Sequence, residues 1–220
     1  TCRPNASYIY KVKVIDRSQN ISEASDVVEA ALLSQPTMIA RWDFEDNLND
    51  DTQNMLDMAS PSTPKYVADH KVGDKSLSLT AQFVQLPYRV ADSDELSVAM
   101  WVKWNTSTTQ WQRIFDFGND EDHYLFLTPN SGTSKMRFAI KNGGDEQILD
   151  CPSKLSSYLW KHVVVTIGKD KTAIYVDGTE VASTTGITIK PSDIRPVLNY
   201  LGRSQYTARS RSEESCRERV

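Results

Sequence analysis

Cysteine is scarce: Cys2, Cys151 and Cys216 are the only three in 220 residues. An odd count without C-x-x-C spacing builds neither a closed disulfide framework nor a zinc site, and it leaves the redox compartment open. Histidine is as sparse, and His70, His123 and His162 stand too far apart for a local metal motif. No apolar run approaches the ~20 residues a membrane-crossing helix needs. The opening Thr1-Cys2-Arg3-Pro4-Asn5 lacks the apolar core of a signal peptide. Basic residues, 25 against 29 acidic, are scattered rather than gathered into a stripe, and the net charge is −4. A nucleic-acid partner is not expected from such a surface. No serine sits in G-x-S-x-G and no glycine cluster suggests a phosphate loop.

What the chain does carry is strand signal. Val163, Val164, Val165, Thr166 and Ile167 form a β-branched run that favours a pleated surface over a helix. A polar turn at residues 168–171 separates it from the alternating residues 172–176. Asp177-Gly178 then supplies two residues that tolerate positive φ, predicting a type I′ hairpin turn back along residues 179–182. Further short strands are predicted near residues 38–44, 76–79, 83–87, 96–104, 113–117, 124–128, 136–141 and 147–149. No segment holds a 3.6-residue period for three turns. The pattern predicts an all-β, two-sheet antiparallel sandwich.

Several motifs narrow this. Trp160-Lys161-His162-Val163 followed by Ile174-Tyr175-Val176-Asp177-Gly178 resembles the LamG-like, or laminin G-like, group of concanavalin A-like jelly rolls. The likeness extends to Arg41-Trp42-Asp43-Phe44, to residues 72–79 and 96–103, and to Tyr200-Leu201-Gly202-Arg203-Ser204. It implies a jelly-roll binding module over residues 36–206. The expected role is a non-catalytic carbohydrate- or protein-binding accessory of a larger extracellular or cell-surface, glycan-active protein, with a glycan or a neighbouring catalytic domain as partner. A structural spacer is the alternative. A glycoside hydrolase is less expected, because the family's E-x-D-x-x-E spacing, which aims carboxylates into one cleft by strand alternation, is absent.

The two ends read differently. Residues 1–35 look like the last two strands of a fibronectin type III domain plus a linker. Their alternating Tyr8-Ile9-Tyr10-Lys11-Val12-Lys13-Val14 is a strand pattern, and the missing earlier strands suggest a fragment. Residues 207–220 depart from the family's closing strand and offer little apolar surface. That tail is expected to be disordered, and a reading-frame shift explains it; the strand at 38–44 would then be left as an unpaired edge.

Two binding features stand out. Trp104 and Trp111 flank the polar loop 105–110 and are the candidate sugar-stacking residues, whereas Trp42, Trp101 and Trp160 fall at strand positions where the family packs its core. Glu45, Asp46 and Asp50, with Asn47, offer oxygens on one loop, and the resemblance implies one calcium ion there. The alternative is a solvated acidic loop. The acidic stretch from Asp116 to Asp122 is expected to be solvated charge, and His162 a structural side chain.

Overall fold

The computed structural model describes residues 7–10, 23, 28–31 and 37–206. The chain divides into two compact units, Thr1–Met38 and Ile39–Val220. In the first, β1 (Ser7–Tyr10) pairs antiparallel with β2 (Val28–Ala31), so the two predicted strand regions do meet. The rest of that hairpin, the linker residues 32–36, the tail 207–220, Cys2 and Cys216 all lie outside the described residues.

The second unit is built of short antiparallel strands in chain order: β3 (Lys65–Val67), β4 (Ser76–Ser78), β5 (Val84–Leu86), β6 (Leu96–Lys103), β7 (Phe115–Gly118), β8 (His123–Thr128) and β9 (Arg137–Asn142). β10 (Gln147–Asp150), β11 (Trp160–Ile167), β12 (Thr172–Val176), β13 (Thr179–Thr184) and β14 (Leu198–Leu201) follow, with one turn of helix, α1 (Pro191–Ile194), before the last. Among the described residues, six strands form a sheet in the order β10-β9-β8-β7-β14-β5. Four form a second in the order β13-β12-β11-β6, and β3 pairs with β4.

Alternation joins the two large sheets. Phe115, Phe117, Leu125, Leu127, Phe138 and Ile140 from the first meet Val102, Val163, Val165, Ile167 and Ile174 from the second in one buried core. The fold is the two-sheet antiparallel jelly-roll sandwich that the strand pattern predicts. At the β12–β13 connection Asp177 (φ 51°) and Gly178 (φ 80°) both take positive φ, as a type I′ turn requires.

Two expectations fail locally. β3 is too short, at three residues, to leave a period in the sequence. Residues 38–44 form no ladder among the described residues, and Phe44 takes a positive φ of 60°. Their polar groups are taken by the loop that follows: Arg41 O accepts the Asp51 N–H at 2.8 Å, Arg41 N–H donates to Asp50 Oδ1 at 3.0 Å, and Ile39 O accepts from Asn54 Nδ2 at 2.8 Å. Loop donors and acceptors thus stand in for a partner strand.

Candidate functional site

Strand parity decides which side chains leave the core. On the six-stranded sheet, pairing sets Tyr200, Asp116, Phe126, Ala139 and Ile148 in one outward row. Thr128, Arg137 and Asp150 form the next. This outer face is itself covered: Tyr124, Phe126 and Ala139 form a second buried cluster against which Trp111 and Tyr206 pack.

Trp111 reaches this face through an unusual backbone, with φ at 61°. A bulky residue in the left-handed region is a strained outlier, costing on the order of 1 to 3 kcal/mol, and must be held by its surroundings. Its N–H donates to Asn130 O at 2.7 Å, and its carbonyl accepts from Arg113 Nη1 at 2.8 Å. The indole lies so close to Gly132 that a Cβ there would stand 3.2 Å from Cζ2. The Arg137 guanidinium sits 5.7 Å from the ring centroid, within cation–π range. Trp111 remains partly exposed, and nearby Ile148 is 41% exposed.

The floor beside it is polar and, Asp116 Oδ1 apart, paired. Arg113 Nε donates to Asp116 Oδ2 at 2.9 Å, and its guanidinium stacks 3.9 Å over the Phe126 ring. Asp116, expected to be solvated, is only 1% exposed. Burial pushes its carboxyl up against the pull of Arg113, and the Gln205 N–H adds a donor at 3.2 Å. Arg137 holds Asp150 through two bonds, at 2.7 and 3.0 Å, and Lys135 approaches the same carboxylate at 3.9 Å. Tyr124 donates its hydroxyl to Glu146 at 2.6 Å and lies 3.3 Å from the Tyr206 hydroxyl; burial and Glu146 both raise its pKa. Burial likewise pushes the Cys151 thiol up to about 12, so it is no nucleophile at neutral pH.

Two other predicted aromatics, Trp104 and Trp101, must be reassigned. Trp104, expected at the surface, is 1% exposed; its Nε1 donates to Gln112 Oε1 at 2.6 Å inside the core. It continues the inward parity of Leu96, Val98, Met100 and Val102 and offers no face to a sugar. Trp101, expected in the core, points outward at 39% exposure from the four-stranded sheet. Its ring lies 5.2 Å from that of His162, with Lys71 Nζ 5.1 Å above it. Beside it, Asp69 accepts from Trp160 Nε1 at 2.9 Å and from Lys103 Nζ at 2.5 Å. Trp42 is half-buried against the core, donating to Leu56 O at 3.0 Å.

The acidic loop does not converge on a cation. Asp50 accepts from the amides of Arg41, Thr52 and Leu56 and from the Thr52 hydroxyl. Burial alone would raise its pKa, but these donors together lower it to about 2. Asp46 is ion-paired with Lys75, and Glu45 Oε1 accepts the Asp74 N–H at 2.7 Å. Among the described residues no group of three or more His, Cys, Asp or Glu is placed to hold a metal ion. As arranged, both oxygens of Asp50, Asp46 Oδ2 and Glu45 Oε1 already face protein donors, an arrangement that does not fit calcium.

Comparison with known proteins agrees with this architecture. Residues 79–213 match the laminin G-like family model of the concanavalin A-like lectin/glucanases superfamily. No curated protein matches. Among solved structures, domain 4 of AbnA, a GH43 extracellular arabinanase from Geobacillus stearothermophilus in complex with arabinotriose, superposes with a TM-score of 0.63. It is 22% identical and covers 74% of this chain and 81% of that one. The CBM40 of the Ruminococcus gnavus IT-sialidase (TM-score 0.42, 20% identity, 49% and 62% covered) is more distant. So are domains LG4-5 of the mouse laminin alpha1 chain (0.47, 22%, 70% and 40%). This chain spans four fifths of the first and less than two thirds of the other two.

Proposed function

We infer that this chain, which belongs to the concanavalin A-like lectin/glucanases superfamily, is a non-catalytic glycan-binding accessory module whose platform is the outer face around Trp111. The partly exposed Trp111 indole, packed on the buried Tyr124, Phe126 and Ala139 cluster with Arg137 beside it, carries this reading. Backbone strain persists where the surroundings over-determine it, and such outliers cluster at binding sites. Here it sets an indole, partly open to solvent, beside Arg137 and Asp150. An aromatic face for the apolar side of a sugar ring, with bidentate polar groups at its edge, is the chemistry a pyranose or furanose asks for.

A hydrolytic reading finds less support. Asp116 is the carboxylate with a raised pKa on this face, which by itself would suggest a general acid. Its burial beneath Arg113, Phe126 and Gln205 keeps it from substrate, so it acts as a structural counter-ion. The fold neighbour bound to arabinotriose belongs to an extracellular enzyme, which favours a similar setting here. Residues 1–35 are read as the end of a fibronectin type III domain, with the β1–β2 pairing as support.

Glycan-array screening of the 220-residue chain, followed by calorimetry on the strongest ligand, tests the reading. Trp111→Ala should lose at least about tenfold in affinity, equivalent to about 1.4 kcal/mol, while Trp101→Ala should bind as the parent does. Equal binding by the parent and Trp111→Ala sinks this assignment. A chain that binds no glycan at all favours the spacer reading.

A further inference from the structure

Gly132 is exposed and does not take the left-handed backbone that favours glycine, so its own conformation gives no reason for a missing side chain. The neighbouring indole does. A Cβ at Gly132 would stand 3.2 Å from Trp111 Cζ2, 3.4 Å from Nε1 and 3.6 Å from Cε2. Three consecutive indole atoms thus lie against the place where a side chain would begin.

The two loops that meet here are fixed to each other. Trp111 N–H donates to Asn130 O at 2.7 Å, and Asn130 Nδ2 donates to Thr109 O at 3.1 Å. The Ser131 N–H closes the turn that carries Gly132 by donating to Lys135 O at 2.7 Å. On its other side Trp111 is held through its carbonyl by Arg113. With both backbones pinned, a side chain at Gly132 is accommodated only by rotation of the indole about its own side-chain bonds. Dispersion between a sugar ring and an aromatic face fades steeply with separation, and a gap of ~0.5 to 1 Å forfeits a quarter to a half of the attraction. A small tilt of the indole is therefore read as affinity.

Resting on the reading of Trp111 as a glycan platform, we propose that Gly132 is its positioning residue: the missing side chain sets the tilt of the indole, and with it the affinity for a stacked sugar.

Calorimetry on the 220-residue chain tests this with the oligosaccharide that the glycan array retains most strongly, arabinotriose being one of its members. Gly132→Ala should weaken binding by roughly three- to tenfold, as a partial loss of stacking implies, and Gly132→Val by more. Should Gly132→Val fail to melt cooperatively, Gly132→Ala decides alone. Gly144, in the turn between β9 and β10, also lacks a positive φ, and a Cβ there would meet nothing within 4 Å. Gly144→Ala should accordingly bind within about twofold of the parent. A glycine that merely shapes its own loop would weaken binding whatever ring stands opposite. Phenylalanine has no Cζ2 or Nε1, so in a Trp111→Phe chain the added Gly132→Ala should change affinity by less than about twofold. Equal losses in the two backgrounds, or parent-like binding by Gly132→Ala where Trp111→Ala loses the sugar, overturn the positioning role and leave the platform standing. Parent-like binding by Trp111→Ala, or no bound glycan at all, overturns both.

Discussion

The two outer faces of the sandwich treat the same kinds of side chain in opposite ways. On the six-stranded sheet an arginine–aspartate pair lies under aromatic cover, with Arg113 and Asp116 at 5% and 1% side-chain exposure. On the four-stranded sheet Lys103 and Asp69 pair in the open, at 24% and 53%. The carboxyls respond accordingly. Burial raises Asp116, whereas bonds from Lys103 and Trp160 lower Asp69. One face is a second, partly polar interior; the other is a surface. Burial of a sheet on both sides, rather than the presence of tryptophan, is what separates the two faces.

The strongest way to break this contrast lies in the core that both faces share. Trp104→Ala removes a fully buried ring and its bond to Gln112, and should cost ~3 to 5 kcal/mol by denaturant titration. A loss below about 1 kcal/mol would return Trp104 to the surface. Next, Arg113→Ala leaves Asp116 buried without its counter-ion and should cost ~3 to 5 kcal/mol, while Lys103→Ala on the open face should cost no more than ~1 kcal/mol. Equal losses would erase the distinction between the faces.

Acid probes a third place. Asp50, held near a pKa of about 2, titrates near 3.8 when unfolded, so its stabilisation is present above pH ~4 and is lost as pH falls toward 2. The full difference is on the order of 2 kcal/mol. Asp50→Asn should show a flatter stability profile across that window; an unchanged slope would mean that the loop bonds are not formed. Smaller still, Trp101→Ala should change stability by under ~1 kcal/mol, as expected of an exposed side chain. The smallest effect concerns calcium. With Asp46, Glu45 and Asp50 facing protein donors, chelator should leave the melting temperature within about 1 °C of its value in excess calcium, whereas a resident ion would raise it by mass action.

Much of this was legible in the sequence. The β-branched run at 163–167 and the Asp177-Gly178 turn gave β11 to β13, with the first two bounded as expected. Trp101 and Trp104 were misjudged although the signal was present. In Leu96-Ser97-Val98-Ala99-Met100-Trp101-Val102-Lys103-Trp104 the apolar parity runs through Leu96 and Val102 to Trp104, which sends Trp101 outward. A second signal lay in Tyr124-Leu125-Phe126-Leu127. A strand apolar on both sides expects cover on both, and that would have pointed to the face where Trp111 lies. The partners of that face were not legible. Arg113 with Asp116, Arg137 with Asp150 and Tyr124 with Glu146 meet through strand order and through loops, neither of which leaves a local trace. The bonds of the acidic loop were not legible for a related reason: sequence shows carboxylates but not the amides and the Lys75 ammonium that face them.

The double cover of β8 has a consequence for motion. Its amides pair with β7 on one side and β9 on the other, the core lies beneath it, and Phe126 is sealed from above by Arg113. Segments like this open only with the whole molecule, so their hydrogens should be among the last to trade for deuterium. The floor of the proposed platform should therefore be among the slowest-opening parts of the sandwich. Residues 105–110, ahead of the anchored Trp111, lie outside any strand. A bound sugar should slow exchange in that loop and leave β8 as it was. The recognition surface would thus owe its rigidity to the strand beneath and its adjustment to a single loop at its rim.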